Sequence, residues 1–302
     1  MDRSCSPIAL FVYARPDHAR QTIEALGRNA LASESDLVIF SDAAKRPEIA
    51  PGVAAVRNYI RTIRGFKSVN IVERQNNMGL AASIVDGVSR VTEEFGRVIV
   101  LEDDLRTSPH FLAYMNDALE LYAGTPQVAA VSGYHPPFDA VMPETFFQRD
   151  AECWGWGTWR RAWLHFNSDG AGLLAELKAR DLAHRFDQDG SIAYMQMLED
   201  QIAGRNDSWA IRWRASVFLK NMLSLYPGRS LTSNFGFDGS GTHCKASDGW
   251  DEEVSTSPVA VTEIPLVQCD AAYQAFARFN RSQMPSLGKR VSRKLKKLLR
   301  AR

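Results

Sequence analysis

The sequence lacks the features that mark several common protein classes. Only four of its 302 residues are cysteine, and none form a Cys-x-x-Cys pair, so neither a zinc site nor a disulfide framework is indicated. No Gly-x-Gly-x-x-Gly follows the first apolar run and no Gly-x-x-x-x-Gly-Lys occurs, which disfavours a classical dinucleotide-binding fold and a P-loop nucleotidase. No apolar run is long enough for a membrane span or a signal-peptide core. We therefore predict a globular protein of the reducing cytoplasm.

The net charge of +1 hides an uneven distribution. Residues 286–302 contain eight Lys or Arg and no acid, so the rest of the chain carries a net charge of −7. Such an acidic body disfavours nucleic-acid binding, which needs a basic face to neutralise phosphates. Within the basic segment, Val291, Leu295, Leu298 and Leu299 have helical spacing. This pattern predicts an amphipathic helix that binds an anionic membrane surface, which would place the protein peripherally on the inner face of the cell membrane. A solvated tail with incidental leucines is the alternative.

Short apolar runs alternate with helical patterns over the first hundred residues. The predicted strands are 8–13, 37–40, 69–72 and 98–101, and the predicted helices are 17–28, 53–63 and 80–95. This alternation predicts an α/β fold with a mostly parallel central sheet flanked by helices. Beyond about residue 135 the alternation weakens, and we expect an irregular half.

Three acids, Glu102, Asp103 and Asp104, directly follow the fourth apolar run. Their carboxylates repel one another unless a cation lies among them, and hard oxygen ligands suit Mg²⁺ or Mn²⁺. A solvated acidic turn is the alternative. Arg15 and Asp42 end two other predicted strands, so all five side chains should meet at the carboxyl edge of the sheet, where open α/β sheets bind ligands. Asp42 would accept a hydrogen bond from a base or ribose, or cap its strand.

Seven short segments follow one another along the chain. They are Phe-Val-Tyr-Ala-Arg-Pro at 11–16, Ile-Phe-Ser-Asp at 39–42, Asn-Asn-Met-Gly-Leu at 76–80, Val-Leu-Glu-Asp-Asp at 100–104, Trp-Gly-Trp-Gly-Thr-Trp at 154–159, Ser-Trp-Ala-Ile-Arg-Trp at 208–213 and Asn-Phe-Gly-Phe-Asp-Gly-Ser-Gly-Thr-His at 234–243. In order and spacing the set resembles the nucleotide-sugar glycosyltransferases of the GT-A fold, in particular the branch like N-acetylglucosaminyltransferase I and bacterial family 2 type enzymes. The resemblance implies a Rossmann-like domain over 1–270, with a nucleotide-sugar half at 7–135, an acceptor half at 136–270 and a helical basic tail at 271–302.

The resemblance also implies an activity. It is the metal-dependent transfer of a hexosyl or N-acetylhexosaminyl group from a nucleoside diphosphate donor, with a UDP-sugar expected, to a saccharide or lipid-linked saccharide hydroxyl. Inversion at the anomeric carbon and a role in surface glycan synthesis are expected. The last acid, Asp104, would bind the Mn²⁺ or Mg²⁺ ion, and His243 would complete the metal shell or touch the diphosphate. Asp103 and Glu102 would face the ribose and donor sugar. The remaining donor-site candidates are Ala14, Arg15, Asp42, Asn77 and Gly79.

The sequence leaves the identity of the catalytic base open. An inverting transfer needs a base beside the acceptor hydroxyl, usually Asp or Glu. Relatives often carry an acid immediately after the first tryptophan of the 208–213 segment, where this chain has Ala210. Asp207 is the first candidate and Asp200 the second, although each could be an ordinary surface acid. Ala210 also keeps open a non-catalytic nucleotide-sugar or glycan binding module.

Two further interpretations remain. Trp154, Trp156 and Trp159 could stack on an acceptor sugar or belong to the core, and we expect Trp156 and Trp159 to divide between these roles. A sugar nucleotidyltransferase would share the nucleotide cleft. It would normally need a Gly-rich loop bearing Lys or Arg after the first strand, which residues 14–16 do not supply.

Overall fold

The structure, a computed structural model, describes residues 4–137, 140–237 and 253–283. Its first hundred residues alternate strands and helices, as the apolar pattern predicts. In chain order they are β1 (Ile8–Val12), α1 (Pro16–Gly27), β2 (Asp36–Ser41), α2 (Ala50–Ile60), β3 (Ser68–Glu73), α3 (Leu80–Phe95) and β4 (Arg97–Glu102). Pro16 can begin α1 because the first N–H of a helix has no partner within the helix.

The later part of the chain is less regular, again as expected. Its elements are β5 (Leu105–Thr107), α4 (Phe111–Leu121), β6 (Val128–Ser132), β7 (Thr145–Gln148), β8 (Trp156–Trp159), α5 (Arg160–Trp163), α6 (Gly170–Ala179), α7 (Ala183–Phe186), α8 (Tyr194–Ile202), α9 (Trp209–Leu219), β9 (Leu223–Pro227), β10 (Thr232–Asn234) and α10 (Asp270–Gln283). Strands and helices here are short and do not alternate strictly.

Eight strands form one central sheet in the order β3-β2-β1-β4-β8-β6-β9-β7. Strands β3, β2, β1 and β4 pair in parallel, and β6 pairs in parallel with β9. Strand β8 lies antiparallel between β4 and β6, and β7 is antiparallel to β9. Six of the eight strands therefore run in one direction. The predicted α/β class with a mostly parallel sheet flanked by helices is confirmed.

The apolar runs of the central strands form the core. Ile8, Leu10, Val98, Ile99 and Leu101 are fully buried. A strand buried on both faces needs no polar alternation, which explains why these segments read as continuous apolar runs. Burial of each large aliphatic side chain contributes roughly 1.5–3 kcal/mol relative to exposure.

The parallel arrangement brings the carboxyl ends of β1, β2 and β4 to one edge of the sheet. Register pairs Phe11 with both Phe40 and Glu102, so these three strands end nearly level. At the same edge β5 pairs antiparallel with β10, Leu105 lying opposite Asn234. This two-stranded sheet places a late segment of the chain directly over the acidic turn.

The C-terminal helix α10 packs against the far end of the sheet. Phe276 lies in a small buried cluster with Phe146 of β7 and Tyr226 of β9. The basic segment 286–302 lies outside the described residues, so its membrane-binding helix and the 271–302 boundary stay predictions. Within the described residues, no helix has the length and apolar content needed to cross a bilayer.

Candidate functional site

A single arginine joins two of the three acids at the carboxyl edge. The Nη2 of Arg15 donates to Oδ1 of Asp103 at 2.5 Å and to Oδ2 of Asp104 at 2.8 Å. The backbone N–H of Tyr13 donates to the other oxygen of Asp103 at 3.2 Å. The side chains of Asp103 and Asp104 are only 7% and 14% exposed, so the pairing with Arg15 offsets part of the cost of burying them.

The cluster remains short of positive charge. Burial and then the neighbouring carboxylates of Asp104 and Asp103 together raise the pKa of Glu102 to about 8. Burial also raises the pKa of Asp103, although Arg15 opposes this. The pKa of Arg15 would fall through burial, but the two aspartates outweigh that effect and raise it. Three acids facing one guanidinium favour binding of a further cation.

The residues present fit a divalent cation shared with a ligand. Mg²⁺ and similar ions are commonly held by one or two carboxylates plus substrate phosphates and water. Asp104 and Asp103 supply such carboxylates, whereas the described residues contain no group of three or more His, Cys, Asp or Glu suited to bind an ion on their own. The Nη1 of Arg15 is buried without a hydrogen-bond partner, which leaves a donor for an anionic oxygen. The donor set suits a metal diphosphate better than a bare ion.

The segment after β10 packs onto Asp104. The N–H of Phe235 donates to the backbone oxygen of Asp104 at 3.0 Å, and the ring of Phe235 stacks on His18. A Cβ at Gly236 would lie 2.9 Å from the Cγ of Asp104, so only glycine leaves the carboxylate undisturbed. His243, predicted to complete the metal shell, lies outside the described residues.

Asp42 reaches the same edge, but its carboxylate already accepts hydrogen bonds from neighbouring residues of the chain. Its Oδ1 accepts from the N–H of Ala43 at 2.8 Å and of Met78 at 2.9 Å, while its Oδ2 accepts from the N–H of Gly79 at 2.9 Å and the side chain of Asn77 at 3.0 Å. These bonds use the lone pairs that a base or ribose would need. The structure therefore gives Asp42 and Asn77 a supporting role, in line with the strand-end alternative that the sequence leaves open for Asp42, and a nucleotide contact of Asp42 stays a prediction.

The Asn77–Gly79 loop leads directly into α3. Gly79 precedes the helix with φ +78°, a conformation that side chains with a Cβ rarely adopt. A carboxylate that holds the N–H groups of Met78 and Gly79 orders this entry. Ala14 lies between β1 and α1 and is half-buried. It packs closely against the start of α2, where a Cβ at Gly52 would lie 2.5 Å from the backbone oxygen of Ala14.

The two predicted bases lie in different surroundings. An oxygen of Asp207 lies 3.7 Å from the position that a Cβ at Gly79 would take, so Asp207 borders the Asn77–Gly79 loop. The side chain of Asp207 is nevertheless 62% exposed. Asp200 lies on α8 and is ion-paired at 2.5 Å with Arg205. Helix α8 packs on α6 and α9. The structure thus brings Asp207 near the donor-site loop and holds Asp200 in a surface ion pair.

The three predicted acceptor tryptophans separate clearly. Trp156 is 0% and Trp159 4% exposed, and Trp156 stacks on Trp209 in the core. The indole N–H of Trp159 donates to the backbone oxygen of Leu119 at 2.9 Å. Both rings therefore pack in the core, whereas the sequence predicted that they would divide between the core and the acceptor site. Trp154 is half-buried, with its ring edge against Tyr134, and remains the acceptor candidate of the three.

Sequence reasoning missed a buried polar cluster beside Trp154. Arg214 on α9 is ion-paired with Asp150 and lies 3.5 Å from an oxygen of Glu152. Asp150 also accepts a hydrogen bond from Gln188 at 3.0 Å, and Gln188 in turn accepts from Asn280 of α10 at 2.7 Å. The arginine side chain is 6% and the Asp150 side chain 2% exposed. Separations of more than sixty positions along the chain hide this pairing from any local pattern.

Comparisons with known proteins give distant likenesses. No protein-family model matches the chain, and no curated protein matches it. Among solved structures, the chain is similar to the mannosyltransferase PcManGT from Pyrobaculum calidifontis in complex with GDP-Man and Mn²⁺, with 11% identity over 73% of this chain and 72% of that one and a TM-score of 0.39. It is also similar to S. aureus TarS, with 12% identity over 46% of this chain and 24% of that one and a TM-score of 0.31. Structural similarity at these TM-scores carries no argument about function.

Proposed function

We propose that the protein is a metal-dependent glycosyltransferase that moves a sugar from a nucleoside diphosphate to a saccharide hydroxyl with inversion. The observation that supports it most directly is the pairing of Arg15 with Asp103 and Asp104 at the carboxyl edge of the sheet. Carboxylates for a cation and an unpartnered buried guanidinium nitrogen for an anion lie there side by side. A metal diphosphate carries both charges.

The chemistry follows from this placement. Breaking the bond between the anomeric carbon and the donor phosphate leaves negative charge on the diphosphate. A divalent cation held by Asp104 would stabilise that charge as a Lewis acid. Arg15 would turn its guanidinium towards the diphosphate oxygens, and Asp103 would keep it oriented through the bond to Nη2. Asp42 would position the neighbouring Asn77–Gly79 loop.

The finer assignments belong to the same proposal. The resemblance of the motifs supports a UDP-sugar donor, a hexosyl or N-acetylhexosaminyl group and a saccharide or lipid-linked acceptor as proposals. A cytoplasmic location, anionic membrane contact through 286–302 and a role in surface glycan synthesis are likewise proposed. Trp154 is the aromatic ring retained for the acceptor side.

Calorimetric titration tests the donor site. UDP-, GDP-, dTDP- and CMP-sugars are titrated into the full chain with and without Mn²⁺, and donor turnover is followed in parallel. We expect one nucleotide class to bind more tightly with Mn²⁺, and Asp104→Asn to remove that gain. Glu94→Gln, which neutralises an exposed acid on α3, is the matched control and should bind as the wild type does. Metal-dependent binding without turnover would favour the binding module instead. No binding of any nucleotide would reject the proposal.

A further inference from the structure

Neither acid predicted from the sequence is well placed to act as the base. Asp200 is engaged with Arg205, and Asp207 is largely exposed beside Arg212, 3.9 Å away. A general base must reach the proton of the acceptor hydroxyl, and it works best where bulk water does not compete. A partly buried acid on the acceptor side of the cleft would meet both needs.

Glu152 is a partly buried acid in the segment just before β8. Strand β8 runs antiparallel to β4 with Val100 opposite Trp156, so the chain that precedes β8 lies alongside the chain that continues β4 into the acidic turn. The backbone oxygen of Trp154 accepts from the hydroxyl of Thr232 on β10 at 2.7 Å, and β10 continues into Phe235, whose N–H donates to the oxygen of Asp104 at 3.0 Å. The segment that carries Glu152 therefore borders the residues that pack on the proposed metal ligand Asp104.

The polar cluster holds Glu152 in place. Arg214 is fixed by its ion pair with Asp150, and Asp150 is fixed by Gln188. On α9 Arg214 follows Ala210 by one helical turn, so the two side chains lie on the same face of the helix. An acid at position 210 would come from α9, whereas Glu152 comes from the segment before β8.

Glu152 is also the less committed of the two acids that share one arginine. Its contact with Arg214 is 3.5 Å, long for a hydrogen bond, and its side chain is 19% exposed. Burial and then the negative charge of Asp150 raise the pKa of Glu152 to about 7, although Arg214 opposes both. The negative charge of Glu152 in turn raises the pKa of three neighbouring groups, Tyr194 of α8, Tyr226 of β9 and Cys153.

We propose that Glu152 is the general base of the transfer, an inference that rests on the proposed glycosyltransferase function. A carboxylate oxygen of Glu152 takes the proton of the acceptor hydroxyl while that oxygen forms a bond to the anomeric carbon of the donor. The bond from the anomeric carbon to the diphosphate oxygen breaks, and its electron pair leaves with the nucleoside diphosphate. Glu152 ends as the neutral acid and returns the proton to water. Water itself can take the place of the acceptor, which gives donor hydrolysis.

The test compares Glu152→Gln with Asp207→Asn and Asp200→Asn, using the donor that the wild type binds most tightly with Mn²⁺. Hydrolysis of that donor is followed from pH 5 to pH 9, and nucleotide affinity is measured by calorimetry. We expect Glu152→Gln to lower turnover about 100-fold or more while nucleotide affinity stays within about twofold. Wild-type turnover should fall below about pH 7 as Glu152 takes up a proton, and this acid limb should vanish in Glu152→Gln alone. Both aspartate variants should keep the rate and the limb.

A second variant separates chemistry from folding. Glu152→Asp keeps the charge but draws the carboxylate back by one methylene, so turnover should fall about tenfold with the acid limb retained. Wild-type turnover in Glu152→Gln or Glu152→Asp, or an acid limb that persists in Glu152→Gln, would overturn the inference and leave the glycosyltransferase proposal intact. Loss of rate and limb in Asp207→Asn would do the same. A wild type that neither binds nor hydrolyses any nucleotide sugar would reject the proposed function and this inference together.

Discussion

The substitution Gly236→Ala tests the placement of Asp104 without removing any charge. The added Cβ would lie 2.9 Å from the Cγ of Asp104 and closer still to Oδ2. Carbon atoms pack at about 3.5–4.0 Å, so the carboxylate must move by about 1 Å, away from the 2.8 Å contact that it makes with Arg15. A displacement of about 1 Å at a reacting centre can lower turnover about 100-fold, equivalent to about 2.7 kcal/mol of transition-state stabilisation.

Mn²⁺-dependent donor hydrolysis and calorimetric nucleotide binding would measure the effect. Gly124→Ala is the matched control, because a Cβ there meets nothing within 4 Å and its backbone conformation is open to alanine. Thermal unfolding should differ little between the two variants, since the expected change concerns the position of one side chain at the edge of the sheet. If Gly236→Ala binds and hydrolyses the donor as Gly124→Ala does, Asp104 does not hold the metal diphosphate.

Three further outcomes are expected. Asp42→Asn should destabilise the fold by about 1–3 kcal/mol, because an amide cannot accept all four bonds, and amide exchange should accelerate at Met78 and Gly79; unchanged protection of both amides would contradict the supporting role. Trp156→Ala should lower the free energy of unfolding, measured in urea, by about 3–5 kcal/mol. A small decrease would argue against a core position of Trp156. The pKa of Glu152 is raised from 4.5 to about 7, so its contribution to stability is fully present below pH 4.5 and is lost as pH rises through 7. The free energy of unfolding should therefore fall by up to about 3 kcal/mol over that interval relative to Glu152→Gln. Parallel pH profiles of the two proteins would refute this.

Much of the structure from β1 to β4 could be predicted because its information is local. The runs that form β1, β2 and β4 are continuously apolar, and a parallel sheet brings their following residues together whatever the details of packing. The meeting of Arg15 with Asp103 and Asp104 follows from that topology alone. Such an expectation needs no knowledge of individual rotamers.

The part of the chain after residue 135 resisted prediction for equally physical reasons. Trp154 and Trp156 are two residues apart, yet one is half-buried and the other fully buried, because β8 lies inside the sheet between β4 and β6 while the chain just before it is less covered. No periodicity within the tryptophan segment distinguishes these positions. The partner of Glu152 comes from a helix 62 positions later, so only the packed structure reveals the cluster.

The position of β8 has a consequence for how such a protein can change over evolutionary time. A strand that comes after residue 135 separates β4 from β6, both of which come before it, so the two halves of the chain are interleaved in one sheet. A fragment ending at residue 135 would leave β4 and β6 without the strand that joins them. The part of the chain after residue 135 therefore cannot be exchanged as a module without rebuilding the sheet. Changes there would have to arise by substitution in segments outside the sheet, around Trp154 and before α9, while the ladder that joins the two parts stays unchanged.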